Sequence, residues 1–251
     1  MACESTFYRV LREHKLMTHR SHASPPRHSR PKELLATGPN QVWSWDITYL
    51  RSSVLGKFFY LYLIVDIYSR KIITWEIENY ESAEISSMMM RRAYRLEGVK
   101  KQQLAVHADN GGPMKASTML ATLRRLGVLP SFSRPSVSDD NAFSESLFKT
   151  LKYRPSYPRG PFKNIDEAKA WVADFVKWYN TEHLHSSIGF VTPESRHKGE
   201  DTAILAKRRA VYLEAYLKTP GRWIGKTPRF WDAVPFVTLN PIKELAEEEA
   251  A

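Results

Sequence analysis

Hydrophobic and polar positions along the chain change their period several times, and these changes predict a mixed α/β domain. From Gln41 onward, segments rich in β-branched and aromatic residues alternate with turn-forming residues, which predicts three consecutive strands over 42–50, 58–67 and 71–78. Further along, the pattern predicts a helix over 82–96, a strand over 104–107, a helix over 115–126 that ends at Gly127, and a strand over 129–133.

Two later segments show apolar stripes with the helical period. Phe143, Leu147 and Leu151 recur at every fourth residue, which predicts a helix over 139–153 with one buried face. A second helix is predicted over 165–180, where Asn164 and Glu167 have the spacing of a capping box. The predicted order is therefore three strands, a helix, a strand, a helix, a strand and two helices. This order is expected of a mixed α/β sheet covered by helices.

Shifts in composition divide the chain into three parts. Residues 1–40 form a basic segment with one short predicted helix and a His- and Arg-rich stretch at 19–30, which we expect to be a mobile linker along a phosphate backbone. Residues 41–195 are expected to form the α/β core. Residues 196–251 are a basic extension with helical and irregular or short β parts, ending in an acidic, frayed tail.

Charge and cysteine content narrow the classes of function. The 251 residues carry a formal net charge of +10, which favours polyanionic partners, nucleic acid before an anionic membrane. A basic enzyme without such a partner is an equally weighted alternative. The single cysteine, Cys3, excludes an internal disulfide and a cysteine metal cluster. No apolar run has transmembrane length, and the charged N-terminus is unlike a signal peptide, so we expect an intracellular protein.

Three acidic residues stand at positions where acids are unfavourable. Asp46 interrupts an otherwise apolar strand, Asp109 ends a short strand before a turn, and Glu145 lies on the helix predicted over 139–153. Buried carboxylates are costly unless they are paired or bind a metal. Each acid also has a structural interpretation: a strand-end acceptor, a helix cap and a solvent-facing residue, respectively. Asp66, a strand-end partner of Arg70, is expected to be structural.

The spacing of these acids favours a metal-binding role over the structural interpretations. Thirty-five residues lie between Asp109 and Glu145. Carboxylates from two strands and a helix can converge on two divalent cations roughly 3.5–4 Å apart, an arrangement that activates a hydroxyl nucleophile in phosphodiester displacement. Ligands that are all oxygen suit Mg²⁺, with Mn²⁺ as a substitute, and the absence of a Cys or His cluster argues against zinc.

Six stretches of the chain carry a resemblance to a known family. They are Trp43-Ser44-Trp45-Asp46-Ile47-Thr48-Tyr49, Val65-Asp66-Ile67-Tyr68-Ser69-Arg70, His107-Ala108-Asp109-Asn110-Gly111-Gly112, Ser138-Asp139-Asp140-Asn141-Ala142-Phe143-Ser144-Glu145-Ser146, Trp178-Tyr179-Asn180 and Thr192-Pro193-Glu194. In them the chain resembles transposases of the insertion sequence three family, whose core is similar to retroviral integrases and has the RNase H-like fold. The resemblance covers roughly residues 5–195.

This resemblance implies that Asp46, Asp109 and Glu145 form a metal-binding catalytic triad, with Asp46 bridging both ions. It implies a DNA transposase that cleaves a strand at a transposon end and joins the freed 3′-hydroxyl to target DNA. It also implies a homo-oligomer, at least a dimer, on double-stranded DNA. It further implies a helix-turn-helix upstream, fused or separate, whose trailing edge would remain in Ser5 to Leu16, and a cytoplasmic, nucleoid-associated location in bacteria.

Two positions depart from the family pattern. Asn110 stands where the family often has an arginine, and His183-Leu184-His185 stands where an arginine commonly precedes the histidine by two residues. Neither position belongs to the triad.

Basic residues on the Glu145 helix are predicted to contact DNA. Lys149 and Lys152 share a helix face with Glu145, and Arg154 follows them. The alternative is an ordinary Glu–Lys pair along a helix. His107 is either a helper beside the metals or a strand-end histidine. Two rival functions remain open: a nuclease of the same fold that hydrolyses but never joins DNA, and a catalytically inactive DNA-binding relative.

Overall fold

The computed structural model describes residues 3–14, 31–134, 138–223, 229 and 231–241. Seven strands lie in these ranges: β1 (Leu34–Ala36), β2 (Val42–Arg51), β3 (Phe58–Asp66), β4 (Ile72–Glu78), β5 (Ala105–Ala108), β6 (Leu129–Phe132) and β7 (Val237–Leu239). The helices of the same ranges are α1 (Glu4–Glu13), α2 (Ala83–Leu96), α3 (Gly112–Lys115), α4 (Ser117–Leu126), α5 (Ala142–Tyr153), α6 (Ile165–Thr181), α7 (Pro193–His197) and α8 (Asp201–Lys218).

Five of the strands form one mixed sheet in the order β4-β3-β2-β5-β6. The antiparallel hairpins β2–β3 and β3–β4 supply one half, and β5 and β6 are added in parallel to β2. This topology confirms the predicted α/β class with a mixed sheet flanked by helices. The predicted strand over 104–107 and the predicted strand over 129–133 are both present with shifts of one residue at their ends.

The two faces of the sheet bury different side chains, because successive residues of a strand point to opposite sides. On β2, Trp43 and Trp45 pack with the apolar residues of α2 and α4. Ser44, Asp46 and Thr48 point to the other face, where α5 lies. There Leu147, Leu151 and the apolar stripe of α6 form the second half of the core, which confirms the buried faces predicted for both helices.

The segments on either side of the core meet in a second, two-stranded sheet. β1 pairs with β7 in antiparallel fashion, and Ala36, Val237 and Leu239 pack against Val42 and Ala105. The described part of the C-terminal extension therefore contributes a strand to the two-stranded sheet and packs against the five-stranded one. Within the described residues, no helix is long and apolar enough to cross a membrane. The predicted linker at 19–30 and the acidic tail lie outside the residues that are described.

A buried ion pair holds this C-terminal segment. Arg196 is fully buried, pairs with Asp201 at 3.0 Å, and donates further hydrogen bonds to the carbonyl oxygens of Tyr68 and Val234. On α8, Arg208 donates to the carbonyl oxygen of Gly189, and Arg209 pairs with an aspartate of the C-terminal segment.

The local signals at helix ends and turns are partly as predicted. Gly127 ends α4 with a φ of 69°, and Ser82 caps α2 through the backbone N–H groups of Glu84 and Ile85. Asn164 accepts from the N–H of Glu167, but the Glu167 carboxylate accepts from Lys163 rather than from Asn164. The predicted capping box is thus wrong in its second half, since the chain before the helix presents a different N–H.

Asp66 is structural, as predicted, yet its partners differ from the expected ion pair. Its carboxylate is fully buried and accepts from Ser69 and from the N–H of Asn40. Arg70 donates its own N–H to the Asp66 carbonyl oxygen, and its guanidinium lies over the ring of Phe143 at 4.2 Å. Arg70 has a left-handed backbone conformation in this turn, with a φ of 68°.

Candidate active site

Asp46 lies in the middle of the sheet on the face covered by α5. It is half-buried, and its Oδ1 accepts a hydrogen bond of 2.8 Å from the N–H of Ile47. In the parallel pairing of β2 with β5, Trp45 lies opposite Ala108. Asp46 follows Trp45 and Asp109 follows Ala108. The two acids are therefore neighbours across the adjacent strands.

Asp109 is the first residue after β5, and its carboxylate turns back on the loop that follows. Oδ1 accepts a hydrogen bond of 2.8 Å from the N–H of Gly111. A β-carbon added at Gly111 would lie 2.9 Å from this same oxygen, whereas one added at Gly112 would meet nothing within 4 Å. The first glycine of the pair therefore leaves room for the Asp109 carboxylate, a role that the turn signal in the sequence did not reveal.

Glu145 lies in the first turn of α5, beside β2. It is partly buried, and its charge acts on Asp46 together with that of Asp109. Burial and these two negative charges, that of Asp109 acting more strongly, raise the pKa of Asp46 to about 7 against the opposing hydrogen bond from Ile47 and the charge of Lys152. The structure thus brings the three sequence-predicted acids into one electrostatic cluster.

The three carboxylates are suitable ligands for a divalent cation, but they are not close enough together to bind one in this conformation. Across the described ranges, no three carboxylate, imidazole or thiol groups converge closely enough to hold a metal ion as they stand. Mutual repulsion of three carboxylates opposes convergence, since like charges in a partly buried site disfavour the ionised forms. Burial is the main cause of the raised pKa of Asp46, and the charges of Asp109 and Glu145 add to it; a cation would offset these charges, and the three carboxylates supply the oxygen ligands that Mg²⁺ prefers.

The three predicted DNA-binding residues occupy different environments. Lys149 is exposed on α5, and among the described residues no ion pair joins it to Glu145. Lys152 donates a hydrogen bond of 2.7 Å to Oγ1 of Thr48, and burial lowers its pKa while Asp46 opposes that shift. Arg154 lies beyond the end of α5 with its guanidinium 3.6 Å from the ring centroid of Trp178.

His107 is a buried structural histidine on β5. Its ring nitrogens lie 2.9 Å from Oγ of Ser131 and 3.1 Å from Oγ of Ser133. Burial lowers its pKa to about 4, so the ring is neutral at physiological pH, and charge interactions with Asp140 and Asp109 do not reverse this. The strand-end interpretation of His107 therefore fits the structure.

Asn110 and Asp140 join the ends of β5 and β6 to the start of α5. Asn110 donates from its side-chain amide to the carbonyl oxygen of Ser133, which links the ends of the two parallel strands. The Asp140 carboxylate accepts three hydrogen bonds from Arg134, one from the backbone and two from the guanidinium. These contacts depend on residues that meet only in the fold, and the sequence pattern did not identify them.

Two family models, both described as Integrase core domain, match residues 36–138 and 126–193. A Lactococcus lactis transposase for insertion sequence element IS904 is 32% identical over 168 residues, covering 65% of this chain and 63% of that protein. The Escherichia coli transposase InsF for insertion sequence IS3fB is 28% identical over 197 residues, covering 77% and 67%. The chain thus spans just under two thirds of the Lactococcus protein.

A solved structure shares the fold at low sequence identity. A chain of the simian T-cell lymphotropic virus intasome, in complex with the PP2A regulatory subunit B56 gamma, superposes with a TM-score of 0.54 at 17% identity. The likeness covers 78% of this chain and 70% of the viral one. Together with the matched integrase core, it confirms the predicted RNase H-like fold.

Proposed function

Because the chain belongs to the insertion sequence three family of transposases and contains an integrase core domain, we propose that it cleaves and joins DNA strands during transposition. The observation that carries the proposal is the cluster of Asp46 on β2, Asp109 directly after β5 and Glu145 on α5, in which the charges of the last two act on Asp46. The proposed activity is that of a polynucleotidyl transferase.

Each acid has a distinct role in the proposed reaction. Asp46 would be the ligand shared between two divalent cations, and Asp109 and Glu145 would supply the remaining carboxylate ligands. When bound, Mg²⁺ supplies positive charge that lowers the pKa of the attacking hydroxyl and stabilises the departing oxygen. Mn²⁺, with the same preference for oxygen ligands, is proposed to substitute.

The proposed chemistry has two steps at phosphorus. In the first, a water oxygen attacks the phosphodiester at the end of the insertion sequence, the P–O3′ bond breaks, and the departing 3′-oxygen takes a proton. In the second, this 3′-hydroxyl loses its proton as its oxygen attacks a target phosphodiester, whose own 3′-oxygen departs. One phosphodiester replaces another, so no high-energy co-substrate is required.

Double-stranded DNA, both the element's ends and the target, is the proposed partner. The net charge of +10 supports this, as does the exposed Lys149 on the helix that carries Glu145. Because two DNA ends must be cut and joined together, we propose that the active form is at least a dimer. An upstream helix-turn-helix segment, fused or separate, is proposed to recognise the ends.

A strand-transfer assay tests the proposal. Duplexes that carry the terminal repeats of the encoding element, pre-cut to expose 3′-hydroxyls, are incubated with the protein, a target plasmid and Mg²⁺. Joined products are expected from the wild type, and Asp46→Asn, Asp109→Asn and Glu145→Gln are each expected to abolish them while retaining DNA binding.

The same assay separates the two rival functions. Hydrolysed but unjoined DNA would identify a nuclease of this fold, and bound but intact DNA with either Mg²⁺ or Mn²⁺ would identify an inactive DNA-binding relative. Joining by Glu145→Gln at the wild-type rate would remove Glu145 from the catalytic set.

A further inference from the structure

A buried hydrogen-bond network connects β2 to the start of α5, next to two of the three acids. Oγ of Ser44 lies 2.6 Å from Oδ1 of Asn141 and 2.6 Å from Oγ of Ser144. The Asn141 amide nitrogen lies 3.4 Å from the carbonyl oxygen of Trp45. Ser44 and Ser144 are fully buried, and Asn141 is nearly so.

The direction of each hydrogen bond follows from the available protons. A carbonyl-type Oδ1 can only accept, so the single hydroxyl proton of Ser44 is donated to Asn141. Ser144 must then donate its own proton to Ser44. The amide of Asn141 donates to Trp45, and this contact determines the orientation of the side chain. One arrangement therefore satisfies the network, which gives it a defined geometry.

The network lies at the point where the two acid-bearing elements touch. Ser44 precedes Asp46 by two residues on β2, so both side chains point to the same face of the sheet. Ser144 is the immediate neighbour of Glu145 on α5. A contact between Ser44 and Ser144 thus determines how far the backbone of Glu145 stands from the backbone of Asp46.

Asn141 does not cap its own helix with its side chain, although it stands at the N-cap position. It occupies the N-cap position of α5, where an asparagine side chain usually accepts from the first turn of its own helix, yet it makes no such bond. Its side chain joins Ser44 and Trp45 instead. A locally favourable interaction is replaced by a tertiary one, and departures of this kind concentrate at functional sites.

The turn before α5 is held from other directions as well. Arg134 binds the Asp140 carboxylate with two guanidinium hydrogen bonds, and Asn240, after β7, donates to the Asp140 carbonyl oxygen at 3.4 Å. The network around Ser44 therefore acts on a helix start whose position is already restrained.

We propose that Ser44, through Asn141 and Ser144, is a positioning residue that keeps the start of α5 against β2, so that Glu145 stays beside Asp46 and both can bind divalent cations. The proposal rests on the proposed function, in which these acids are metal ligands. Outer partners that orient metal ligands change metal affinity or activity by about 10–100-fold when removed. Ser44 does not itself touch DNA or metal in this scheme.

The test compares two serine-to-alanine changes of equal burial in the full-length chain. Ser44→Ala removes the centre of the network. Ser86→Ala removes an equally buried hydroxyl on α2, across the sheet, which donates to the carbonyl oxygen of Ser82. For each variant, thermal unfolding, Mn²⁺ binding by electron paramagnetic resonance without DNA, and strand transfer with Mg²⁺ and with Mn²⁺ are measured.

Ser44→Ala is expected to weaken Mn²⁺ binding about 10–100-fold and to slow strand transfer in proportion, while DNA binding stays at the wild-type level. Ser86→Ala is expected to shift thermal unfolding by a comparable amount without changing Mn²⁺ binding. Equal Mn²⁺ affinity in Ser44→Ala and the wild type would overturn the positioning role.

A second variant and the wild-type control complete the test. If Ser44→Ala does not fold, Ser144→Ala is tested in its place, because it removes the hydroxyl of α5 that donates to Ser44. Unchanged Mn²⁺ affinity in Ser144→Ala would also overturn the inference. A wild type that neither binds Mn²⁺ nor joins DNA would refute the proposed function itself. If the wild type joins DNA and Ser44→Ala keeps the wild-type Mn²⁺ affinity and strand-transfer rate, the positioning role alone is refuted.

Discussion

Lys152 donates a hydrogen bond of 2.7 Å from Nζ to Oγ1 of Thr48, two residues beyond Asp46 on the same face of β2. Its ammonium group therefore lies against the sheet beside the acid cluster, and its charge counteracts the rise in the pKa of Asp46. Lys149, one helical turn earlier, is exposed to solvent. The two lysines on one helix face thus differ in environment: Lys149 is exposed, and Lys152 is partly buried against β2.

Lys149→Ala and Lys152→Ala are expected to separate DNA binding from catalysis. Loss of the exposed Lys149 should reduce the slope of log affinity for DNA against log salt by about one, because one phosphate contact is removed. Lys152→Ala should lower the strand-transfer rate more than DNA affinity, because Asp46 loses the positive charge of Lys152. Lys177→Ala, an exposed lysine on α6, is the matched control. Identical effects of the first two variants would contradict this division.

Gly111→Ala is expected to reduce strand transfer strongly, while Gly112→Ala leaves it near the wild-type rate. A β-carbon at Gly111 would come within 2.9 Å of Asp109 Oδ1, so the carboxylate must move, whereas Gly112 has open space. DNA binding should be unchanged in both variants. The two variants are compared in the strand-transfer assay at saturating DNA; equal rates would show that the Asp109 carboxylate tolerates displacement.

Asp46→Asn is expected to stabilise the metal-free protein at pH 8. The pKa of Asp46 is raised from 3.8 to about 7, so between these values the folded chain keeps a proton that the unfolded chain releases. Its contribution to the free energy of unfolding therefore falls as pH rises through this window, by on the order of 2–4 kcal/mol.

Chemical denaturation in the presence of a chelator, at pH 5 and pH 8, measures this effect. The difference in stability between Asp46→Asn and the wild type should be larger at pH 8 than at pH 5. Asp174→Asn, at an exposed position on α6, serves as the control for the Asp-to-Asn substitution itself. A variant that is less stable than the wild type at pH 8 would contradict the argument.

Arg154→Ala is expected to act on stability rather than on DNA binding. The guanidinium lies 3.6 Å from the Trp178 ring centroid, and such a contact contributes about 0.5–2 kcal/mol. Urea denaturation should show a loss of this size, and the salt dependence of DNA binding should match the wild type. A salt slope reduced by about one would instead support the DNA contact predicted from the sequence.

Much of the fold could be predicted because its signals are local. The strands β2, β3 and β4, the stripe of α5 and the left-handed Gly127 depend on residues within about four positions of one another. The errors concern which of several reachable groups a side chain binds, because the conformation of the folded chain selects that partner. Glu167 binds the N–H of Lys163, and the Asp66 carboxylate binds Ser69 and Asn40 rather than the Arg70 guanidinium.

The order of elements, the excess of positive charge and the choice of the three acids as candidate ligands could be read from the chain alone, because they depend only on spacing and residue type. The tertiary structure decided that β5 lies beside β2, that α5 covers the face carrying Asp46, and that Ser44 meets Ser144. It also decided the raised pKa of Asp46, because packing buries this carboxyl and brings to it the charges of Asp109 and Glu145, which lie more than sixty positions away in the sequence.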